Sequence, residues 1–156
     1  MNSLPLLEAL SESKRARVRG PNGPAIVVPE RLKQKVTILL YEDEEAPQND
    51  RSIGAGFMYW FILNEHSEPV AVVQYRRDYD SSSLLQKWGY FTSQNEAKDG
   101  FTPDKSMGYD TQKQTVFKAV FDKFDSLKPI DVNTKWFKEF AALMKSAKVI
   151  VSPSKV

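Results

Sequence analysis

Apolar and polar positions along this chain form two successive patterns, a period of two between residues 25 and 92 and a helical period after residue 109. The first is clearest in GAGFMYWFILN, residues 54–64. A strand sends alternate side chains to opposite faces. Ile53, Ala55, Phe57, Tyr59, Phe61 and Leu63 share one face, while Gly54, Gly56, Met58, Trp60 and Ile62 share the other. A strand over 53–63 therefore has no polar face. VAVVQYRRD (70–78) is a second strand, joined to the first by the hairpin loop NEHSEP. QKWGYFT (86–92) is a third, after a turn at DSSS (80–83). Upstream, AIVVP (25–29) and residues 35–41, with the β-branched run VTILLY, also read as strands.

The helical period begins in YDTQKQTVFKAVFDKFDSLKP. Val116, Phe117, Val120, Phe121, Phe124 and Leu127 form one stripe, with Asp110 or Thr111 as the cap and Pro129 past the end. DVNTKWFKEFAALMKSAK repeats the pattern through Trp136, Phe137, Phe140, Leu143, Met144 and Ala147, with Asp131 or Asn133 as the cap. Near the start, Leu4, Leu7 and Leu10 share a helical face. Ser3 can cap that helix, and Pro5 is tolerated in its first turn. The spacing predicts a helix over 4–16, ended by the breaker GPNGP at 20–24. Residues 93–109 read as a long polar loop, and the tail VIVSPSKV as an edge strand or a loose end.

This order predicts an α+β fold: an antiparallel β-sheet, built as a meander, with an N-terminal helix and two C-terminal amphipathic helices packed on it. A single domain over 1–156 would comprise a basic N-terminal helix or arm (1–24), the sheet (25–92), the helical pair (110–147) and the tail (148–156). The helical pair is expected to cover one apolar face. The N-terminal helix, a second copy of the chain or a ligand must then cover the other, so a homodimer or higher homo-oligomer is expected.

Composition narrows the chemistry. A chain of 156 residues with 41% hydrophobic content can build a core of its own. Its longest apolar run is far short of the ~20 residues that span a bilayer, so no membrane partner is expected. The first residues do not read as a signal peptide, because their charge follows the apolar part. The absence of cysteine excludes disulfides, thiol catalysis and sulfur-bound zinc, and it fits a cytoplasmic location. The single histidine, His66, lies in the hairpin loop between Glu65 and Glu68, where a solvated loop residue is the ordinary outcome. No cofactor, metal site or catalytic residue is predicted.

Several short patterns resemble enzyme motifs without completing them. Gly54-Ala55-Gly56 precedes a strand, whereas a phosphate cradle needs a helix N-terminus behind it. The hairpin is similar to the central strands of acetyltransferases, yet DSSSLLQKWG is not the glycine turn that grips phosphate in that family. Asp78 or Asp80 with Glu96-Ala97-Lys98 resembles the acid-plus-ExK pattern of restriction-type nucleases. That motif sits on an apolar strand, and SQNEAKDG reads as a polar loop.

Charge and aromatic placement carry the remaining signal. Lys14, Arg15, Arg17 and Arg19 put four cations in six residues, whereas EDEEAPQND (42–50), within a segment 42–51 that reads as a solvated loop, holds five acids and no base. Basic clusters bind phosphates largely irrespective of sequence. A cationic helix end, favoured by the helix dipole, is the structural counterpart. Phe57, Tyr59, Trp60, Phe61, Tyr75, Tyr79, Trp88, Tyr90 and Phe91 are half of the eighteen aromatics, interleaved with Arg76, Arg77 and Lys87. Rings beside cations on a sheet suit single-stranded nucleic acid, whose bases stack while its backbone follows the charge. Trp60, Trp88 and Tyr90 are expected on an open face beside Arg76, with Gly54 and Gly56 as its floor. Phe57, Tyr59 and Phe61 are expected in the core.

The expected function is non-enzymatic binding of single-stranded nucleic acid, DNA more than RNA, as an accessory factor in transcription, replication or repair. A polymerase or another protein is a further expected partner. The alternative is a protein-binding regulator or inhibitor that docks an aromatic and basic face on an enzyme. A metal-dependent nuclease is the third possibility.

Overall fold

The computed structural model describes residues 26–44, 56–80, 83–93, 95–101 and 107–153. Six strands form one antiparallel sheet: β1 (Thr37–Glu44), β2 (Gly56–Leu63), β3 (Pro69–Asp80), β4 (Ser83–Thr92), β5 (Asn95–Phe101) and β6 (Lys148–Val151). Their spatial order is β5-β4-β3-β2-β1-β6. The first five are a meander, each paired with its predecessor, and β6 returns to the outer edge of β1. Among the described residues, two helices, α1 (Tyr109–Asp122) and α2 (Lys135–Ser146), join the sheet in an α+β fold. No helix among the described residues is long and apolar enough to cross a membrane. The expected N-terminal helix lies outside the described residues.

Sheet and helices begin close to where the sequence pattern places them, with four corrections. Residues 26–29 form no strand; they run into a single 3-10 turn at Glu30–Leu32. The acidic segment expected to be loop from residue 42 instead continues β1 as far as Glu44. The polar stretch expected to be loop over 93–109 contains β5. Pairing along β4 explains that strand: Trp88 faces Phe101, Gly89 faces Gly100 and Tyr90 faces Asp99. A neighbouring ladder imposes extended structure on residues whose own preferences do not call for it. The expected caps also differ. Gly108 and Thr134 occupy the N-cap positions of α1 and α2, and neither caps through its side chain. Asp131 instead closes a local turn, its Oδ1 accepting from the Asn133 amide at 2.9 Å.

The largest correction concerns the helices. They do not share a face: the sheet lies between them. On one side, α1 sets Val116, Phe117, Val120 and Phe121 against Ile38, Trp60, Ile62, Val73 and Trp88. On the other, α2 sets Phe137 and Phe140 against Phe61, Leu63 and Val72. The connection makes this possible. Residues 127–134 extend over at most ~28 Å, enough to pass from one layer to the other. Midway, the Ile130 amide donates to the Pro69 carbonyl at 2.8 Å, pinning the crossing beside the start of β3. Ile130 itself is buried in the α2 layer. The apolar face expected to need a second subunit is therefore met by the chain's own α2.

Candidate nucleic-acid interface

The period-two pattern of the central strands places their aromatics in two groups. Beneath α1, Trp60 and Trp88 stack with ring centroids 5.8 Å apart and planes 15° off parallel. Tyr75 lies 4.6 Å from Trp88, and Tyr109, at the start of α1, closes over both. Buried Trp88 needs a partner for its indole N–H. Gln112 supplies it: its Oε1 accepts from Trp88 Nε1 at 2.9 Å, while its Nε2 donates to the Met107 carbonyl at 3.0 Å. Lys123 Nζ donates to Tyr90 Oη at 2.7 Å. Trp60 is 0% exposed, Trp88 2% and Tyr90 9%. The expectation that these three form an open stacking face with Arg76 is overturned. They are core, and the reason is α1 above them.

The opposite side begins the same way and ends differently. Phe140 of α2 meets Tyr59 at 5.3 Å, Phe91 at 5.2 Å and Phe61 at 6.4 Å. Trp136, on the first turn of α2, stacks on Phe91 at 5.8 Å and 22°. Here the expectation of a core role holds for Phe61 alone of its three residues, since Phe57 and Tyr59 are only half-buried.

Register shows what lies beside them. Tyr59 faces Gln74, and Gln74 faces Gly89 across the next strand pair. One row further, Phe57 faces Arg76, and Arg76 faces Lys87. Alternation puts these six residues on the α2 side of the sheet. Arg76 and Lys87 are exposed, and Phe57, Tyr59 and Gln74 half-buried. Phe57 and Tyr59 are themselves in contact, with ring centroids 5.2 Å apart. The result is an aromatic strip along β2 beside a pair of cations on β3 and β4, over the part of the sheet beyond Phe140.

The sequence singles out both cations, but the expectation that Arg76 shares a side with Trp60 and Trp88 is wrong, and Lys87 carried no expected side; residue parity relative to Phe61, once Phe61 is known to meet α2, is the signal that places them. Arg77 follows Arg76 on β3 and pairs with Gln86, and only its backbone is described. Lys14, Arg15, Arg17 and Arg19, like Gly54, lie outside the described residues, and Gly56 opens β2 between Glu44 of β1 and Arg77 of β3.

The other motifs are resolved by position. His66 is exposed in a loop organised by Asn64, whose Oδ1 accepts from the His66 and Glu68 amides at 2.9 and 3.0 Å. Glu96-Ala97-Lys98 lies on a strand after all. Asp78, however, pairs with Leu85, near one end of β4, whereas Asn95 pairs with Thr92 at the other. Seven residues of strand separate those levels by roughly 23 Å, too far for carboxylates to share one magnesium ion. Among the described residues, no group of three His, Cys, Asp or Glu side chains is placed to hold a metal. The chain matches no protein-family model, no curated protein and no solved structure.

Proposed function

We propose that this protein binds single-stranded nucleic acid, DNA in preference to RNA, on the half-open α2 side of its sheet. It acts without catalysis, as a cytoplasmic accessory factor in transcription, replication or repair. The observation that carries this reading is the opposed pair Arg76 and Lys87 beside the half-buried rings of Phe57 and Tyr59. Phosphates would lie along the cations while bases stack on the rings. The basic run Lys14, Arg15, Arg17 and Arg19 would add contacts to the backbone without sequence preference. Homo-oligomers remain compatible with this scheme, although coverage of the second face no longer calls for one.

The test is a titration with labelled oligo-dT, the matching RNA and a duplex, at two salt concentrations. The reading requires tighter binding to single strands than to duplex, and affinity that falls steeply with salt. Failure to bind any of the three removes it.

One observation favours the protein-binding reading, in which the chain regulates or inhibits a partner. Val27, Val149 and Ile150 are 69%, 60% and 38% exposed, near the outer edge of β6. Val27 lines a shallow groove there with Ile26, Val28 and Val151. Binding that survives high salt would favour this edge over the charged face, because apolar contacts release no counterions.

A further inference from the structure

Resting on the single-strand reading of the α2 side, we propose that the outer surface of α2 carries the nucleic-acid backbone, with Lys135, Lys138 and Lys145 as its phosphate contacts. These lysines and Ala142 follow one another at spacings of three and four, so they share one stripe of the helix. All four are exposed, while Phe137 and Phe140 bury the opposite stripe against the sheet. From Lys135 to Lys145 the stripe is ~15 Å long.

The two helices differ in how they balance charge. Within α1, Lys113 and Lys118 are matched by Asp110 and Asp122, and Lys118 pairs with Asp122 at 2.7 Å. The segment packed beside α1 is paired too: Arg31 meets Asp125 at 2.8 Å and Lys33 meets Glu30 at 3.2 Å. Within α2, three lysines stand against Glu139 alone. Among the described residues, none of the three has an ion-pair partner, although Glu139 follows Lys135 by one turn. Helix stability does not account for them. Cations favour the last turn of a helix, where Lys145 stands, and oppose the dipole in the first, which holds Lys135 and Lys138 and no acid. Unpaired cations set in a line along a helix are the footprint of a polyanion.

Position ties this stripe to the open strip of the sheet. Trp136, next to Lys135, stacks on Phe91 of β4. Phe140 meets Tyr59 of β2, and Ala147 leads from the end of the helix into β6. The helix thus crosses the strands from β4 towards the β1–β6 edge, and it begins over the strand that carries Lys87. Lys87 and Phe91 are four residues apart on β4, ~13 Å along that strand. A single strand that meets Arg76 and Lys87, with bases on Phe57 and Tyr59, can therefore continue to the start of α2 and follow the lysines to Lys145. The rings beside this path favour a nucleic acid over an acidic protein.

The experiment compares the full chain with the triple variant Lys135→Gln, Lys138→Gln, Lys145→Gln. A control of equal charge change, Lys33→Gln, Lys35→Gln, Lys118→Gln, alters exposed lysines on the α1 side. Each is titrated with long oligo-dT over a range of salt, and the wild type also with polyglutamate of equal charge. Thermal melts check the fold, which exposed substitutions of this kind should leave intact. The α2 variant should lower the log–log salt slope by roughly 2, from three contacts at ~0.7 each, and the control should leave it unchanged. If the triple variant does not fold, Lys138→Gln alone should lower the slope by about 0.7. An unchanged slope in the α2 variant, or an equal fall in both variants, overturns the role of the α2 lysines and leaves the single-strand reading in place. Polyglutamate bound as tightly as oligo-dT overturns the nucleic-acid assignment of the stripe. Absence of binding to any strand by the wild type overturns both readings.

Discussion

The two faces of this sheet are built from the same strands, yet one is sealed and the other is not. Beneath α1, cover comes from several directions. The helix stripe is joined by Ile26, Leu32 and Val36 from the segment before β1, and by Tyr109 and Phe124 from the two ends of α1. Beneath α2, Ile130 is the one buried helper from outside the sheet among the described residues. A helix of twelve residues is ~18 Å long, whereas the twelve residues of β3 extend over ~40 Å. One short helix therefore cannot span that face by itself. The residues along that face change accordingly, from Phe61 and Val72 to Tyr59 and Gln74, and then to Phe57, Arg76 and Lys87. The difference teaches that aromatic content marks neither core nor interface. The reach of the covering element decides.

Truncations on the sealed face should break this comparison most visibly. Trp88→Ala is expected to cost about 3–5 kcal/mol of stability, as for other buried large aromatics. Chemical denaturation measures it, and under conditions where the variant stays folded its affinity for single strands should equal that of the wild type. A loss of affinity with the fold intact would mean that the α1 side is the interface. Gln112→Leu should cost about 1–3 kcal/mol, because it strands the buried Trp88 N–H. A smaller loss in the same assay would show that the indole finds water.

On the open face the order of effects reverses. Phe57→Ala and Tyr59→Ala should each cost about 1–3 kcal/mol of binding to single strands, the scale of one stacked base, while each destabilises the fold less than Trp88→Ala. Fluorescence titration paired with thermal melts separates the two effects. The double variant Arg76→Ala, Lys87→Ala should lower the log–log salt slope by roughly 1.4, from two phosphate contacts at ~0.7 each on a single strand. It should change stability by no more than ~0.5 kcal/mol, since both side chains are exposed. Replacing Arg15, Arg17 and Arg19 with alanine should lower the same slope by roughly 2, and an unchanged slope would restrict the phosphate path to the sheet.

Much of the architecture could be read from the chain because local periodicity reports local geometry. The alternation in GFMYWFIL and VAVVQY, and the helical stripes through Phe117 and Phe137, each predict an element found within a few residues of its expected position. Even the division of β2 into a Trp60 side and a Phe61 side was present in the alternation. Strand β5 was not legible, since NEAKDGF has no apolar rhythm and is extended through its pairing with β4. The candidate site was half legible: Arg76 and Lys87 were singled out, but beside Trp88 and Tyr90, which share neither their side nor their exposure. What the sequence determined by itself was the central strands, the two helices and which residues share a face within each, because a period of 2 or 3.6 is a property of one segment. Which helix lands on which face, and how far it reaches, is set by the 127–134 crossing and the Ile130–Pro69 bond. Those depend on residues distant in the chain meeting in space, and only the tertiary structure decided them.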